Sequence, residues 1–470
     1  MTGLWRQDAT TLGGLLDNGA VSPVAVLDQC LARIARLEPA LNAFMHLDPD
    51  GARRAAEASA ARQAAGARLG PLDGIPVAVK DNLYVAGMPA RWGSLLFRDH
   101  VADRDDICVE RLRAAGAVIV GKTATPEFAL SGRTESRLSG VTRNPWNPEL
   151  TPGGSSGGAV AAVASGMVPL ALGTDAGGST RMPAGYTGLV GLRPSNGRIP
   201  RRYGFPPMAV DFQAIGTFTR TVRDHALLLG AVAGPDARDP ASLRLPPSAP
   251  LGRPPRIGWF TAIGEEQADD AVAESVSAAL RHLAGQGCDV VPCAAPFDLA
   301  LLREVWGVLT AAGAARVARR FPETWRTETT PVIAATVERG LALPATAYVE
   351  ALDKLATFRA ELSAGWGAYD ALAMPTTPAP AWPADADAPA EIGGRTGNGA
   401  TQGMFCGWVN AAGYPGISVP AAPHPDGRPI GLQLVAPFGG DALLLDLAAR
   451  LEAAAGWADR WPALAEEVTS

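Results

Sequence analysis

Two serines stand where nucleophilic chemistry is possible. Residues 151–158 read Thr-Pro-Gly-Gly-Ser-Ser-Gly-Gly, and 173–183 read Gly-Thr-Asp-Ala-Gly-Gly-Ser-Thr-Arg-Met-Pro, so Ser155 and Ser179 each follow a Gly-Gly pair. Glycine lets a backbone approach a ligand closely and aim its N–H groups at it. Residues 159–172 between the two loops are small and apolar, so both loops hang from one buried element. The pair suggests a site built from hydroxyls and backbone amides. A serine hydroxyl is a weak nucleophile until a base stands beside it.

The base is not an evident histidine. Gly153-Gly154-Ser155-Ser156-Gly157 satisfies the G-x-S-x-G pattern, but that elbow needs a histidine and an acid later in the chain. His225 and His282 fall in helical stretches and His424 in a Pro/Asp-rich turn. Lysine is the other candidate. Among 41 basic residues only Lys80, Lys122 and Lys354 are lysine. In so arginine-rich a chain, a retained lysine suggests a task arginine cannot perform, such as losing its proton near neutral pH. Lys80 closes the apolar run 75–79, and burial disfavours its charged form. A fall of ~3 pH units costs roughly 4 kcal/mol and leaves a usable neutral amine, and Ser-Lys variants of the catalytic triad are physically sound. On the residues alone, Lys80 reads equally as an ion-pair partner of Asp81 or a surface residue.

Other patterns mislead. Residues 116–123, Gly-Ala-Val-Ile-Val-Gly-Lys-Thr, fit the P-loop expression, but 117–120 read as a strand, which leaves no loop to cradle a phosphate. The cysteines at 30, 108, 288, 293 and 406 are odd in number and form no disulfide framework. No carboxylate, histidine or cysteine group has metal-ligand spacing, so neither a metal nor a cofactor is expected.

The elements that position these residues alternate. Helices are expected after Ser22-Pro23 and over 50–67, 107–115, 159–165, 220–230, 269–285, 299–320, 348–365 and 441–455. Strands are expected over 72–79, 117–120, 167–173, 256–260, 288–292, 371–375, 416–420 and 431–437. The fold class is α/β, a large twisted mixed β-sheet flanked by helices on both sides. The Pro-rich stretch 235–255 is the best candidate boundary, and 375–398 reads as a loop. The chain of 470 residues is 47% hydrophobic and 19% charged with a net charge of −6, an ordinary globular composition that argues against nucleic-acid binding as the primary role. No run is long and apolar enough for a membrane span, and no signal peptide is evident, so a cytoplasmic location is the default.

Three segments together resemble the core of the amidase signature family: Gly74-Ile-Pro-Val-Ala-Val-Lys80-Asp81, Gly153-Gly-Ser155-Ser-Gly-Gly158 and Gly173-Thr-Asp175-Ala-Gly-Gly-Ser179-Thr-Arg181-Met-Pro-Ala184. Supporting segments are Pro126-Glu-Phe-Ala129, Arg143-Asn-Pro-Trp146, Gly188-Leu-Val-Gly-Leu-Arg-Pro194, Pro375-Thr-Thr-Pro378, Asn410-Ala-Ala-Gly413 through Pro420, and Pro429-Ile-Gly-Leu-Gln433. The resemblance is strongest over 72–230 and weakest over 240–370. It implies one domain over 1–470, with 240–370 a variable region shaping the substrate entrance.

The resemblance also implies roles. Ser179 is the nucleophile, Ser155 bridges it to Lys80 through a cis peptide after Gly154, and Lys80 is the base. The amides of Ala176, Gly177, Gly178 and Ser179 form an oxyanion hole. Ser156, Asp175 and Arg181 support the loops. Phe128, Ala129, Phe405, Trp408 and Trp306 are candidate substrate-lining residues. The activity implied is hydrolysis of a small-molecule carboxylic amide by a Ser-cisSer-Lys triad, in a chain that could form a homodimer. The alternative is the A subunit of a tRNA-dependent amidotransferase, which feeds ammonia to a tRNA-bound glutamate. In those subunits a Ser-Ser-Leu-Asp-Gln run is usual where this chain has Ala209-Val-Asp-Phe-Gln213, a departure that weakens the alternative.

Overall fold

Short apolar runs bounded by glycine and proline become the strands of one sheet. The computed structural model describes residues 3–246 and 251–466. Eleven strands form its main sheet: β1 (Phe44–Leu47), β2 (Pro76–Lys80), β3 (Val118–Thr123), β4 (Leu170–Asp175), β5 (Val190–Arg193), β6 (Ala214–Thr219), β7 (Arg256–Trp259), β8 (Asp289–Pro292), β9 (Ala371–Pro375), β10 (Gly416–Pro420) and β11 (Gly431–Val435). Their spatial order is β1-β3-β2-β4-β6-β5-β10-β11-β9-β7-β8. The strands β3, β2 and β4 run parallel, as do β9, β7 and β8, and the pairs between these two groups are antiparallel. The mixed α/β sheet expected from the sequence is therefore present.

Every residue of β2, β3 and β4 is buried, as strands covered on both faces require. Alternate side chains serve two cores. Val77 and Val79 of β2 join a core with helices Val222–Val232 and Asp441–Ala455. Ala78 joins a second core with helices Pro23–Leu41, Pro49–Ala64 and Gly157–Ala164. Lys80 has the same parity as Ala78, so it falls on the face of the helix that the first glycine-rich loop launches.

The run Gly121-Lys122-Thr123 lies inside β3, where no phosphate loop can form. The Pro-rich stretch 235–255 separates no sheets, because β7 and the edge strand β8 are parallel members of the same sheet as β2; its residues 247–250 lie outside those described. Among the elements not anticipated are the strands β1, β5 and β6 and the helices Arg181–Thr187, Pro331–Ala342 and Gly407–Ala412. Among the described residues no helix is long and apolar enough to cross a membrane, and no group of three histidine, cysteine or acidic residues is placed to hold a metal.

Candidate active site

Lys80 ends β2 beside the ends of its parallel neighbours, the edge at which open α/β sheets bind ligands. The helix Gly157–Ala164 lies against this edge, and small residues let it sit close. At Gly158 a Cβ would fall 2.3 Å from both the Ala124 nitrogen and the Ala43 oxygen, so only glycine fits there. The peptide bond between Gly154 and Ser155 is cis.

The sequence brings Lys80 to the first loop as anticipated. Its Nζ lies 2.8 Å from Ser155 Oγ, 2.9 Å from Ser156 Oγ and 3.2 Å from Thr174 Oγ1. Asn82 Nδ2 donates to the same Thr174 Oγ1 at 3.0 Å, and Ser156 Oγ donates to the Thr174 carbonyl at 3.3 Å. All five residues are buried. Burial pushes the Lys80 ammonium down from 10.5 to about 7, against the opposing pull of the Asp175 charge. The Lys80–Asp81 ion pair does not form. Consecutive strand residues point to opposite faces, and Asp81 Oδ2 accepts instead from the Arg91 and Trp92 amides at 2.8 and 2.5 Å. The other two lysines have different tasks. Lys122 Nζ donates to the carbonyls of Asp81, Leu83 and Pro89, and Lys354 pairs with Glu304 on the surface.

Asp175, at the end of β4, holds the second loop in shape. Its Oδ1 accepts from Gly178 N at 2.7 Å, Arg181 Nη2 at 3.0 Å and Asn410 Nδ2 at 2.8 Å. Its Oδ2 accepts from Thr180 N at 3.1 Å and Arg181 Nε at 3.0 Å. Burial alone would raise this carboxyl, but the charge and hydrogen bonds of Arg181, aided by Asn410, hold it well below the usual range. Arg181 spends all five N–H groups. Two go to Asp175, and the others to the Cys406 carbonyl, Gln433 Oε1 and Asn410 Oδ1.

One oxyanion-hole expectation is corrected here. The Gly178 N–H faces the Asp175 carboxylate and cannot serve a substrate. The N–H groups of Ala176, Gly177 and Ser179 have no protein acceptor among the described residues. These three residues sit at a cavity of about 830 Å³, lined also by Ala129, Met182, Met208, Trp306, Met404 and Trp408. Ser179 is 9% exposed, whereas Ser155 is fully buried. Two lining expectations are also corrected. Phe128 packs among Trp92, Phe97 and Phe205, and Phe405 is buried in the main core, so neither faces the cavity.

The histidines stay apart from this site. Burial pushes His225 down to about 3, between Thr217 Oγ1 and Thr219 Oγ1. Sequence reasoning missed the parts that Asn82, Thr174, Asn410 and Gln433 play. The signal available was a polar residue inside an otherwise apolar strand or helix, as at Gln433 in Gly431–Val435.

A family model described as Amidase matches residues 25–445. The chain belongs to the amidase signature family. It is 35% identical over 492 aligned residues to the A subunit of the glutamyl-tRNA(Gln) amidotransferase of Symbiobacterium thermophilum, covering 98% of this chain and 99% of that one. Among solved structures, a 6-aminohexanoate cyclic dimer hydrolase complexed with substrate superposes with a TM-score of 0.87 at 31% identity, over 98% of this chain and 100% of that chain. A bacterial aryl acylamidase of the same family superposes with a TM-score of 0.88 at 26% identity, over 96% of each chain. The chain is thus an enzyme of a family acting on C–N bonds.

Proposed function

We propose that the chain is an amidohydrolase that cleaves a carboxylic amide through an acyl-enzyme on Ser179. The hydrogen bonding around Lys80 carries this reading. A neutral amine offers two N–H groups and one lone pair. Ser156 already directs its own proton to the Thr174 carbonyl, so its oxygen accepts from Lys80. Thr174 Oγ1 already accepts from Asn82 and accepts from Lys80 as well. The lone pair is left for the proton of Ser155.

The reaction follows from that inventory. Ser179 Oγ attacks the amide carbon while its proton passes to Ser155, whose own proton passes to Lys80. The oxyanion is held by the amides of Ala176, Gly177 and Ser179. The C–N bond breaks, and the same relay returns a proton to the leaving amine. Water then adds to the acyl-enzyme by the reverse relay, releasing the carboxylic acid and restoring Ser179. Asp175 and Arg181 hold the loop without touching the reacting atoms.

The curated relatives favour a second reading. On likeness to them, the A subunit of a tRNA-dependent amidotransferase is the better supported of the two, given 35% identity along almost the whole of both chains. The same acyl chemistry would then release ammonia for a tRNA-linked glutamate, with partner subunits required. The cavity favours free-standing hydrolysis. The arginines lining it are already paired, Arg133 with Glu135 and Arg303 with Glu266, and Glu127 accepts from Ser94 Oγ and Thr330 N. A glutamine donor would bring a carboxylate to arginines that already have partners, and the one other acid of the lining, Asp387, is an exposed rim residue beside Arg133.

The test is turnover of an amide panel, glutamine included, by the purified chain alone and by Ser179→Ala. Hydrolysis by the chain alone, lost in Ser179→Ala, is expected. Turnover appearing only with partner subunits, ATP and charged tRNA would establish the second reading. Activity kept by Ser179→Ala would overturn both.

A further inference from the structure

The floor of the cavity is shaped by a residue from outside the glycine-rich loops. Trp306 lies on helix Leu299–Ala318, within the weakly family-like stretch, and is half-buried. Its six-membered ring rests on the second loop. A Cβ built on Gly177 would fall 2.7 Å from Trp306 Cζ2 and 2.8 Å from Cη2, and one on Gly407 would fall 3.7 Å from Cζ3. The indole is therefore wedged between the loop that carries Ser179 and the start of helix Gly407–Ala412. Phe212 backs it, with ring centroids 5.1 Å apart at 41°. Phe212 belongs to the Ala-Val-Asp-Phe-Gln run that departs from the amidotransferase pattern, so that departure supports the tryptophan. Met182, Met404 and Trp408 continue the lining beside it.

We propose that Trp306 walls the acyl subsite and selects amides whose acyl group is planar and apolar, an aromatic carboxamide above all. This rests on Ser179 being acylated, as argued above. The acyl carbon stays bonded to Ser179 Oγ while its oxygen faces the Gly177 amide. The group on that carbon stays beside the loop that Trp306 covers, whereas the amine must leave. A flat ring against an indole gains both apolar burial and ring-ring contact. Thioether side chains add polarizable contacts that tolerate different ring substituents. A short acyl group such as acetyl would leave this wall largely uncovered.

The test compares Trp306→Ala and Trp306→Phe with the wild type on benzamide, acetanilide and acetamide. The ratio of kcat/KM for benzamide to that for acetamide is expected to fall about tenfold or more in Trp306→Ala, the scale at which an apolar pocket discriminates. Trp306→Phe, which keeps a flat ring, should hold most of the ratio. A ratio unchanged in Trp306→Ala overturns the proposal while leaving the acyl-enzyme reading intact. A loss confined to acetanilide overturns it too, because the wall would then face the leaving amine. Turnover of these amides kept by Ser179→Ala would overturn the underlying reading itself.

Discussion

Replacing Lys80 with methionine should abolish catalysis and yet stabilise the fold near neutral pH. Burial brings the Lys80 ammonium from 10.5 to about 7. An unfolded lysine keeps its proton at pH 7, so burying this residue costs about 5 kcal/mol at ~1.4 kcal/mol per pH unit. Methionine fills a similar volume with no charge to desolvate. It gives up the hydrogen bonds of Nζ to Ser155, Ser156 and Thr174, worth about 1 kcal/mol each. Ser156 keeps the Thr174 carbonyl and Thr174 keeps Asn82. The variant should therefore be about 2 kcal/mol more stable at pH 7.

The sign of the pH dependence makes this specific. The folded-state value lies below the unfolded one, so between about 7 and 10.5 the unfolded chain binds the extra proton and wild-type stability climbs with pH. Below about 7 the penalty on the wild type is present in full. The methionine variant has no such climb from this position. Its advantage should shrink by about 3 kcal/mol between pH 7 and about pH 9.5, and change sign. Urea unfolding of both proteins at those two pH values, followed by circular dichroism, measures the difference. A difference that stays constant across the window would refute the claim that folding releases the Lys80 proton.

The same chemistry predicts that Lys80→Arg folds but loses at least about 10³-fold in kcat, since a guanidinium cannot give up its charge. In the wild type, single-turnover acylation should fall as pH drops through about 7, where Lys80 becomes protonated. Asp175→Asn should cost roughly 3–5 kcal/mol in urea unfolding, because it strips a buried guanidinium of its counter-charge.

The sequence made the chemistry more legible than its surroundings. The segment ending at Lys80 could be read as a buried strand because β2 is apolar throughout, and Gly-Gly-Ser marks a loop wherever it stands. The strand β5 has only four residues and carries Gly191, and β6 carries Gly216 with two threonines, which dilutes the apolar signal that marked β2. The partners of Asp175 were hidden for another reason. Asn410 lies 235 residues away along the chain, and nothing local to either residue announces the contact. The lining guesses failed at Phe128 and Phe405 because an aromatic beside a motif has the same composition whether it faces a cavity or a core. The oxyanion-hole expectation failed at Gly178 because a run of small residues does not say which amides a neighbouring carboxylate will take.

The site holds two fully buried titratable groups in opposite states, and the difference lies in their immediate neighbours. Asp175 keeps its charge because Arg181 shares the pocket and each has its hydrogen bonds filled. Such a pair sets the shape of the Ser179 loop without needing to change during a reaction. Among the described residues only hydroxyls meet Lys80 within hydrogen-bonding distance, and the more distant Asp175 charge offsets only part of the cost of burying its ammonium. A carboxylate in the place of Thr174 would fix the ammonium and remove the base. Asp81 could have supplied one from the next position, but the Arg91 and Trp92 amides hold its side chain on the other side of the strand. The loop needs a permanent charge and the relay needs a removable one. The end of β2 keeps them apart by withholding a carboxylate from one of two neighbouring buried groups, so a substitution that brings an acid to Lys80 should be as damaging as one that removes the amine.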